Sequence, residues 1–234
     1  MNSTDIYKST MAKGLRNFFE GYEPSIKELI GHLDSDGLLL RNFSEQQVTR
    51  LQNLTKSCNM ALKLATDFNS VIDLDETKRI EKIEYLKKAF NTGDKNRIGY
   101  HVEVSLVHAY LALLEKLKIY FLFFIDWSKL GKKHKTLHGI GTATDCLIKK
   151  YPDNAYLSYF DSDIRNSFAH YTFFLENGGK IKLCSEIFDE FPKEITLADL
   201  MKEIYNLNVL TEGFYIMVRD KYGIPELKLE DMEK

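Results

Sequence analysis

Apolar residues recur at steps of three and four along most of the chain, the spacing of helices that bury one face. Helices in this pattern are predicted for residues 44–72, 75–90 and 98–127, and for a last segment from Thr196 to about Tyr222. The apolar stripe of the first of these consists of Val48, Leu51, Leu54, Cys58, Leu62, Ala65, Phe68 and Ile72. Two shorter helices, 6–22 and 25–33, are predicted on either side of Pro24 because proline interrupts a helix interior.

Residues that are typical of helix ends support two of these helices. Ser44 is followed three residues later by Gln47, which is the pattern of a capping box and predicts a helix start. Gly223 and Pro225 follow the last helix, and these residue types commonly end one. The charged tail beyond residue 222 is expected to pack loosely.

The most apolar segment lies between Val102 and Trp127. It is interrupted by five polar or charged side chains: Glu103, His108, Glu115, Lys116 and Lys118. A membrane-spanning helix needs about 20 nearly uncharged residues. We therefore predict a buried helix in this segment and no membrane association.

The spacing of apolar residues changes from a helical to a strand-like period after residue 170. Residues 171–176 and 180–184 are short strand-like runs on either side of Asn177-Gly178-Gly179, and Asn-Gly favours the tight turn of a hairpin. The preceding helix is predicted to run from about residue 154 to Phe168. The predicted fold class is all-α with one small β-hairpin: an N-terminal helical extension (1–43), a helical bundle (44–222) and a charged tail (223–234).

Charge and cysteine content narrow the functional classes. The chain has 32 Lys+Arg against 34 Asp+Glu, a net charge of −2, which excludes a bulk polybasic nucleic-acid binder and leaves only a local basic patch. Cys58, Cys146 and Cys184 have no paired spacing, so we expect reduced thiols, as in a cytoplasmic protein. The first residues lack a basic segment before an apolar run, and we expect no secretory signal.

One group of residues combines the chemistry needed to cut RNA. Arg165, Asn166 and His170 lie together at the end of a predicted helix. A histidine transfers protons near neutral pH, an arginine matches phosphate oxygens with its planar fork, and an asparagine orients either one. Arg165 and His170 are five positions apart, about 140° around an ideal helix. They converge only if the helix loosens near His170 or the arginine side chain wraps round.

This arrangement resembles the motif of the HEPN superfamily, in which an arginine and a polar residue precede a histidine. The order of a long helix, a motif helix, a short hairpin and a final long helix is similar as well, over roughly residues 44–222. The resemblance implies a helical bundle that dimerises across the motif. It further implies a metal-independent endoribonuclease, with Arg165, Asn166 and His170 as catalytic residues and no cofactor. Many members of that superfamily act in toxin–antitoxin or antiviral defence systems, so RNA and a protein partner such as an antitoxin are expected. Other members are non-catalytic modules that bind a nucleotide or a protein.

Structural interpretations remain open beside these. Arg165 is four residues after Asp161 and can form an ion pair with it, and His170 can simply end its helix. His101 and His108 are expected in a core or interface. The pair His134 and His138 lacks a third metal ligand.

Two further groups of residues, one of lysines and one of aromatic side chains, also have both a functional and a structural interpretation. Lys129, Lys132, Lys133 and Lys135 are either an RNA-steering patch or a solvated loop. The aromatic run Tyr120, Phe121, Phe123 and Phe124 is expected in the core rather than as a surface for base stacking.

Overall fold

A computed structural model describes residues 13–69, 84, 95–132, 140–170, 172–176, 180–183 and 193–222. The first twelve residues, the tail after residue 222 and, except for Glu84, the helix predicted at 75–90 lie outside the described residues. Seven α-helices are present in the described ranges: α1 (Lys13–Ser35), α2 (Glu45–Asn69), α3 (Lys95–Phe124), α4 (Ile140–Lys150), α5 (Ala155–Ser158), α6 (Ser162–Ala169) and α7 (Leu197–Tyr222). A 3₁₀ turn, Trp127–Leu130, follows α3. The described part of the chain is therefore predominantly helical, as predicted.

The sheet is larger than the predicted hairpin. Strands β1 (Phe173–Glu176), β2 (Lys180–Leu183) and β3 (Lys193–Thr196) form an antiparallel sheet in the order β1-β2-β3. Phe173 is paired with Leu183, which is paired with Lys193. The third strand was not predicted because it is four residues long and only Ile195 in it is buried, so no apolar alternation marks it.

Two predicted helix boundaries are wrong. Pro24 lies inside α1 rather than between two helices. Pro24 is exposed, so water can solvate the carbonyl group that loses its helical hydrogen bond. The helix predicted from residue 154 to Phe168 is instead two helices, α5 and α6, which are separated by residues 159–161.

The predicted capping box is present at the start of α2. The backbone N–H of Gln47 donates to Ser44 Oγ at 3.3 Å, and the Ser44 N–H donates to Gln47 Oε1 at 2.8 Å. The same reciprocal arrangement starts α7, where Thr196 N–H donates to Asp199 Oδ2 at 2.9 Å and Asp199 N–H donates to Thr196 Oγ1 at 3.1 Å. Each box satisfies backbone donors that the first helical turn leaves unpaired.

The apolar stripe predicted for α2 differs from the structure at Leu54. Leu51 is buried and Val48, Cys58 and Leu62 are half-buried, whereas Leu54 is 42% exposed. Thr55, four residues after Leu51, is buried in its place.

The chain divides into two compact units. Unit 1 comprises residues 1–58, 113–161 and 205–234, and unit 2 comprises residues 59–112 and 162–204. The core of unit 1 takes side chains from α1, α3, α5 and α7: Ile26, Leu29, Leu33, Leu113, Leu117, Phe121, Phe124, Tyr156, Leu210, Phe214 and Val218. The core of unit 2 contains Leu106, Tyr110, Ile164, Phe168, Ile181, Leu183, Ile195 and Leu200.

Asp34 joins three segments of unit 1 at the end of α1. Its carboxylate accepts hydrogen bonds from Arg41 Nη2 at 3.1 Å and from the Tyr222 hydroxyl, and it lies 2.7 Å from Lys221 Nζ. These donors lower the pKa of Asp34 to about 2, with Lys221 and then Tyr222 as the largest causes. Asp34 therefore connects α1 to the end of α7 through its ionised form.

A buried ion pair connects α3 and α7 within unit 1. Lys116 Nζ contacts Glu212 Oε1, and the two side chains are 5% and 20% exposed. Tyr120, one helical turn further along α3, stacks on Tyr215 with ring centroids 4.9 Å apart, and burial raises the pKa of the Tyr120 hydroxyl. The charge of Lys116 is thus neutralised inside an aromatic environment.

No helix in the described ranges is both long and apolar enough to cross a lipid bilayer. Cys58 and Cys146 are free, half-buried thiols, and Cys184 lies outside the described residues.

Candidate functional site

Helix α6 carries Arg165 and Asn166, and His170 directly follows its last residue. The helix packs in unit 2 through one side. Ile164, Ser167 and Phe168 are buried. The Phe168 ring makes edge-to-face contacts with Tyr110 of α3 and Phe173 of β1, at centroid distances of 5.5 and 5.2 Å. These contacts fix which side of α6 is covered.

The three predicted site residues lie outside the covered side. A helix turns about 100° per residue, which places Asn166 and His170 opposite Ile164 and Phe168, with Arg165 at the edge of the covered side. Arg165 and Asn166 are half-buried and His170 is exposed. Asn166 and His170 therefore share the side of α6 that faces away from the core, and Arg165 lies between that side and the covered one.

The side chain of Arg165 bends along the helix towards Asn166. Its Nε–H donates to Asn166 Oδ1 at 3.2 Å. Asn166 precedes His170 by four residues, about one helical turn. The arginine side chain thus wraps towards Asn166, and its convergence with His170 stays a prediction.

The helix also ends at the expected place. His170 N–H donates to Asn166 O at 3.0 Å, and Thr172 N–H donates to Ser167 O at 2.8 Å. The second bond spans five residues and closes the helix end, as in a Schellman motif. Within the described residues, the imidazole of His170 makes no hydrogen bond or ion pair, so its backbone ends the helix while its ring faces solvent.

A cation that was not predicted joins this region from the third strand. Lys193 Nζ lies 3.7 Å from Asp163 Oδ2 in the first turn of α6. No local pattern in the sequence marks Lys193, because its position depends on the pairing of β3 with β2.

The structure bears on two of the alternative interpretations, the ion pair of Asp161 with Arg165 and the solvated lysine loop. Helix α6 begins at Ser162, so Asp161 precedes the helix instead of lying within it, and its pairing with Arg165 stays an alternative interpretation. Lys129 donates to Gly37 O at 2.7 Å and lies 3.7 Å from Asp126. Lys129 thus has a structural role, which favours the solvated-loop interpretation for this lysine; Lys133 and Lys135 are outside the described residues.

The other residues singled out in the sequence are the aromatic run of α3 and the remaining histidines. Tyr120, Phe121 and Phe124 are buried, which agrees with a core role for the aromatic run. His108 is exposed on α3 rather than in a core, whereas His134 and His138 lie outside the described residues. Across the described ranges, no three His, Cys, Asp or Glu side chains are grouped as metal ligands.

No protein-family profile, curated protein or solved structure matches this chain. The functional interpretation therefore depends on the geometry of α6 and on the chemistry of its side chains.

Proposed function

We propose that the chain is a HEPN-like, metal-independent endoribonuclease with Arg165, Asn166 and His170 as its catalytic residues. The observation that carries this proposal is the Arg165–Asn166 hydrogen bond, 3.2 Å long. It holds the side chain of a permanent cation against Asn166, one helical turn before the exposed residue His170. A phosphodiester between the two would meet a proton-transfer group and a charge-stabilising group together.

The three side chains supply the groups that cleavage of RNA through its 2′-hydroxyl requires. The imidazole of His170 takes the proton of an RNA 2′-hydroxyl, and the oxygen attacks the adjacent phosphorus. The 5′-oxygen of the next nucleotide leaves and takes up a proton, which gives a 2′,3′-cyclic phosphate and a 5′-hydroxyl. Arg165 stabilises the negative charge that builds up on the phosphate oxygens. Asn166 orients the guanidinium during this step.

The candidate site of one copy contains one arginine and one histidine. Cleavage requires one group that removes the proton of the 2′-hydroxyl and another that gives a proton to the leaving oxygen. We therefore propose a homodimer in which two copies of α6 face the same RNA strand, so that the second His170 serves the leaving group. The proposal extends to a role in toxin–antitoxin or antiviral defence, with a protein partner that restrains the activity.

Cleavage of mixed RNA by the purified protein in EDTA tests the proposal. We expect cleavage by the wild type and a loss of at least about 10²-fold for His170→Ala, the size of a missing acid–base group. The matched control is His108→Ala, which removes another exposed histidine of unit 2 and should leave the rate unchanged. No cleavage by the wild type, or equal rates for both variants, would contradict catalysis.

The alternative is a non-catalytic HEPN-like module that binds a nucleotide or a partner protein through the same side of α6. The net charge of −2 favours it, because RNA-binding proteins are often more basic. The salt dependence of RNA binding separates the two. A slope near zero indicates that no phosphate is contacted and supports the alternative.

A further inference from the structure

Lys193 is held beside the candidate site by strand pairing. It lies in β3 opposite Leu183, on the side of the sheet that also carries the buried residues Ile181 and Ile195. That side faces α6, since Phe173, in register with Leu183, contacts Phe168. Lys193 consequently reaches Asp163, with Nζ 3.7 Å from Oδ2.

Asp163 shares a stripe of α6 with two of the proposed catalytic residues. Asn166 follows it by three residues and His170 by seven, so the three lie on one side of the helix. Side chains three apart on a helix have Cβ atoms about 5–6 Å apart. Lys193 Nζ contacts Asp163 and Arg165 Nε contacts Asn166, so the two cationic side chains meet α6 at residues three positions apart.

We propose that Lys193 is a second phosphate-binding residue, which contacts the phosphate next to the scissile one on the same RNA strand. This inference rests on the proposed function. Two cations held at residues three positions apart on α6 match a chain that carries one negative charge per nucleotide, whereas a lone arginine would hold one phosphate without fixing the direction of the strand.

The ion pair is suited to exchange. The side chains of Lys193 and Asp163 are 35% and 57% exposed, and exposed pairs of this kind are weak. A phosphate can thus replace the carboxylate as the partner of Lys193. Asp163 holds the lysine in place before RNA binds and competes with RNA for it.

Binding of a single-stranded 2′-fluoro RNA, which lacks the attacking hydroxyl, measures this contact without cleavage. Affinity is recorded by fluorescence anisotropy in EDTA over a series of salt concentrations. For Lys193→Gln we expect weaker binding and a salt slope smaller by about 0.7, the value for one lost phosphate contact on a single strand.

Lys180→Gln is the matched control. Lys180 lies in the same sheet and is also paired, 2.8 Å from Glu194, but it is on the opposite face, since it is one step out of alternation with Ile181. Its removal changes the net charge equally and should leave the slope unchanged. Equal slopes for Lys193→Gln and Lys180→Gln would overturn the inference.

Asp163→Asn supplies a second readout of opposite sign. Loss of the competing carboxylate should tighten RNA binding, and the effect should disappear when Lys193→Gln is added. Weaker binding by Asp163→Asn would show an ion pair that only supports the fold, and would overturn the inference.

The two proposals fail in different ways. If the wild type cuts RNA and Lys193→Gln binds like the wild type, the endoribonuclease stands and the second phosphate contact falls. If the wild type neither binds nor cuts RNA, both fall.

Discussion

Arg165 and Asn166 are neighbours in the chain that hydrogen-bond through their side chains, with Nε and Oδ1 3.2 Å apart. Adjacent helical residues point about 100° apart, so the contact requires the long arginine side chain to fold along the helix surface. The guanidinium is thereby turned from the edge of the covered side of α6 towards Asn166. The contact links two of the three residues of the candidate site.

Substitution of Asn166 tests whether this contact serves catalysis. We expect Asn166→Asp to lower the RNA cleavage rate by at least about 10²-fold, because a carboxylate would pair with Arg165, repel phosphate and so remove the charge stabilisation that Arg165 provides. Asn166→Ala should lose less. If Asn166 only held Arg165 for stability, Asp would serve as well as Asn, and a more active Asp variant would contradict the account.

The buried pair of Lys116 and Glu212 should dominate the electrostatic stability of unit 1. Lys116→Met leaves Glu212 without its buried partner and is expected to lower the free energy of unfolding by about 3 kcal/mol. Adding Glu212→Leu should recover most of that loss, since no isolated charge is then buried. Urea unfolding measures both.

An exposed ion pair in the sheet provides the control for this comparison. Lys180 lies 2.8 Å from Glu194, and the two side chains are 53% and 40% exposed. Lys180→Met should change the free energy of unfolding by less than about 1 kcal/mol. A double variant no more stable than Lys116→Met would show that the charges are not coupled.

The folded chain should lose stability as the pH falls through the range in which Asp34 becomes protonated. Its pKa is about 2 in the folded chain against an ordinary 3.8, so folding favours the ionised carboxylate. The stabilisation is complete above about pH 4 and is lost as the pH falls from there through 2. We expect Asp34→Asn to lower the thermal midpoint at pH 7 and to flatten its decline in that window.

Asp145→Asn is the control for that experiment. Asp145 is exposed on α4 and makes no ion pair among the described residues. The variant should follow the wild-type curve. Parallel curves for wild type and Asp34→Asn between pH 4 and 2 would contradict the assignment of this window to Asp34.

The sequence predicted those elements whose signal is local. The capping box of Ser44 and Gln47, the long helix that contains Leu106–Phe124 and the strand pair around residues 177–179 all depend on neighbouring residues, and each is present in the structure. Pro24 misled the prediction because its effect on a helix depends on whether the freed carbonyl is solvated, which spacing does not reveal.

The candidate site was predictable only in part. Arg165, Asn166 and His170 are close in sequence, and their position at a helix end followed from the change of period after residue 170. The wrapping of Arg165 depends on a side-chain rotamer, and Lys193 depends on the pairing of a strand that carries a single buried residue. Neither leaves a periodic signal in the chain.

The chemistry of cleavage is tested most directly by comparing an RNA oligonucleotide with the DNA oligonucleotide of the same sequence, in EDTA, and by identifying the product ends. The account predicts that the RNA is cut to give 2′,3′-cyclic phosphate and 5′-hydroxyl ends, and that the DNA stays intact because it lacks the attacking hydroxyl. Equal cutting of both strands, or RNA products that end in a 5′-phosphate, would contradict it.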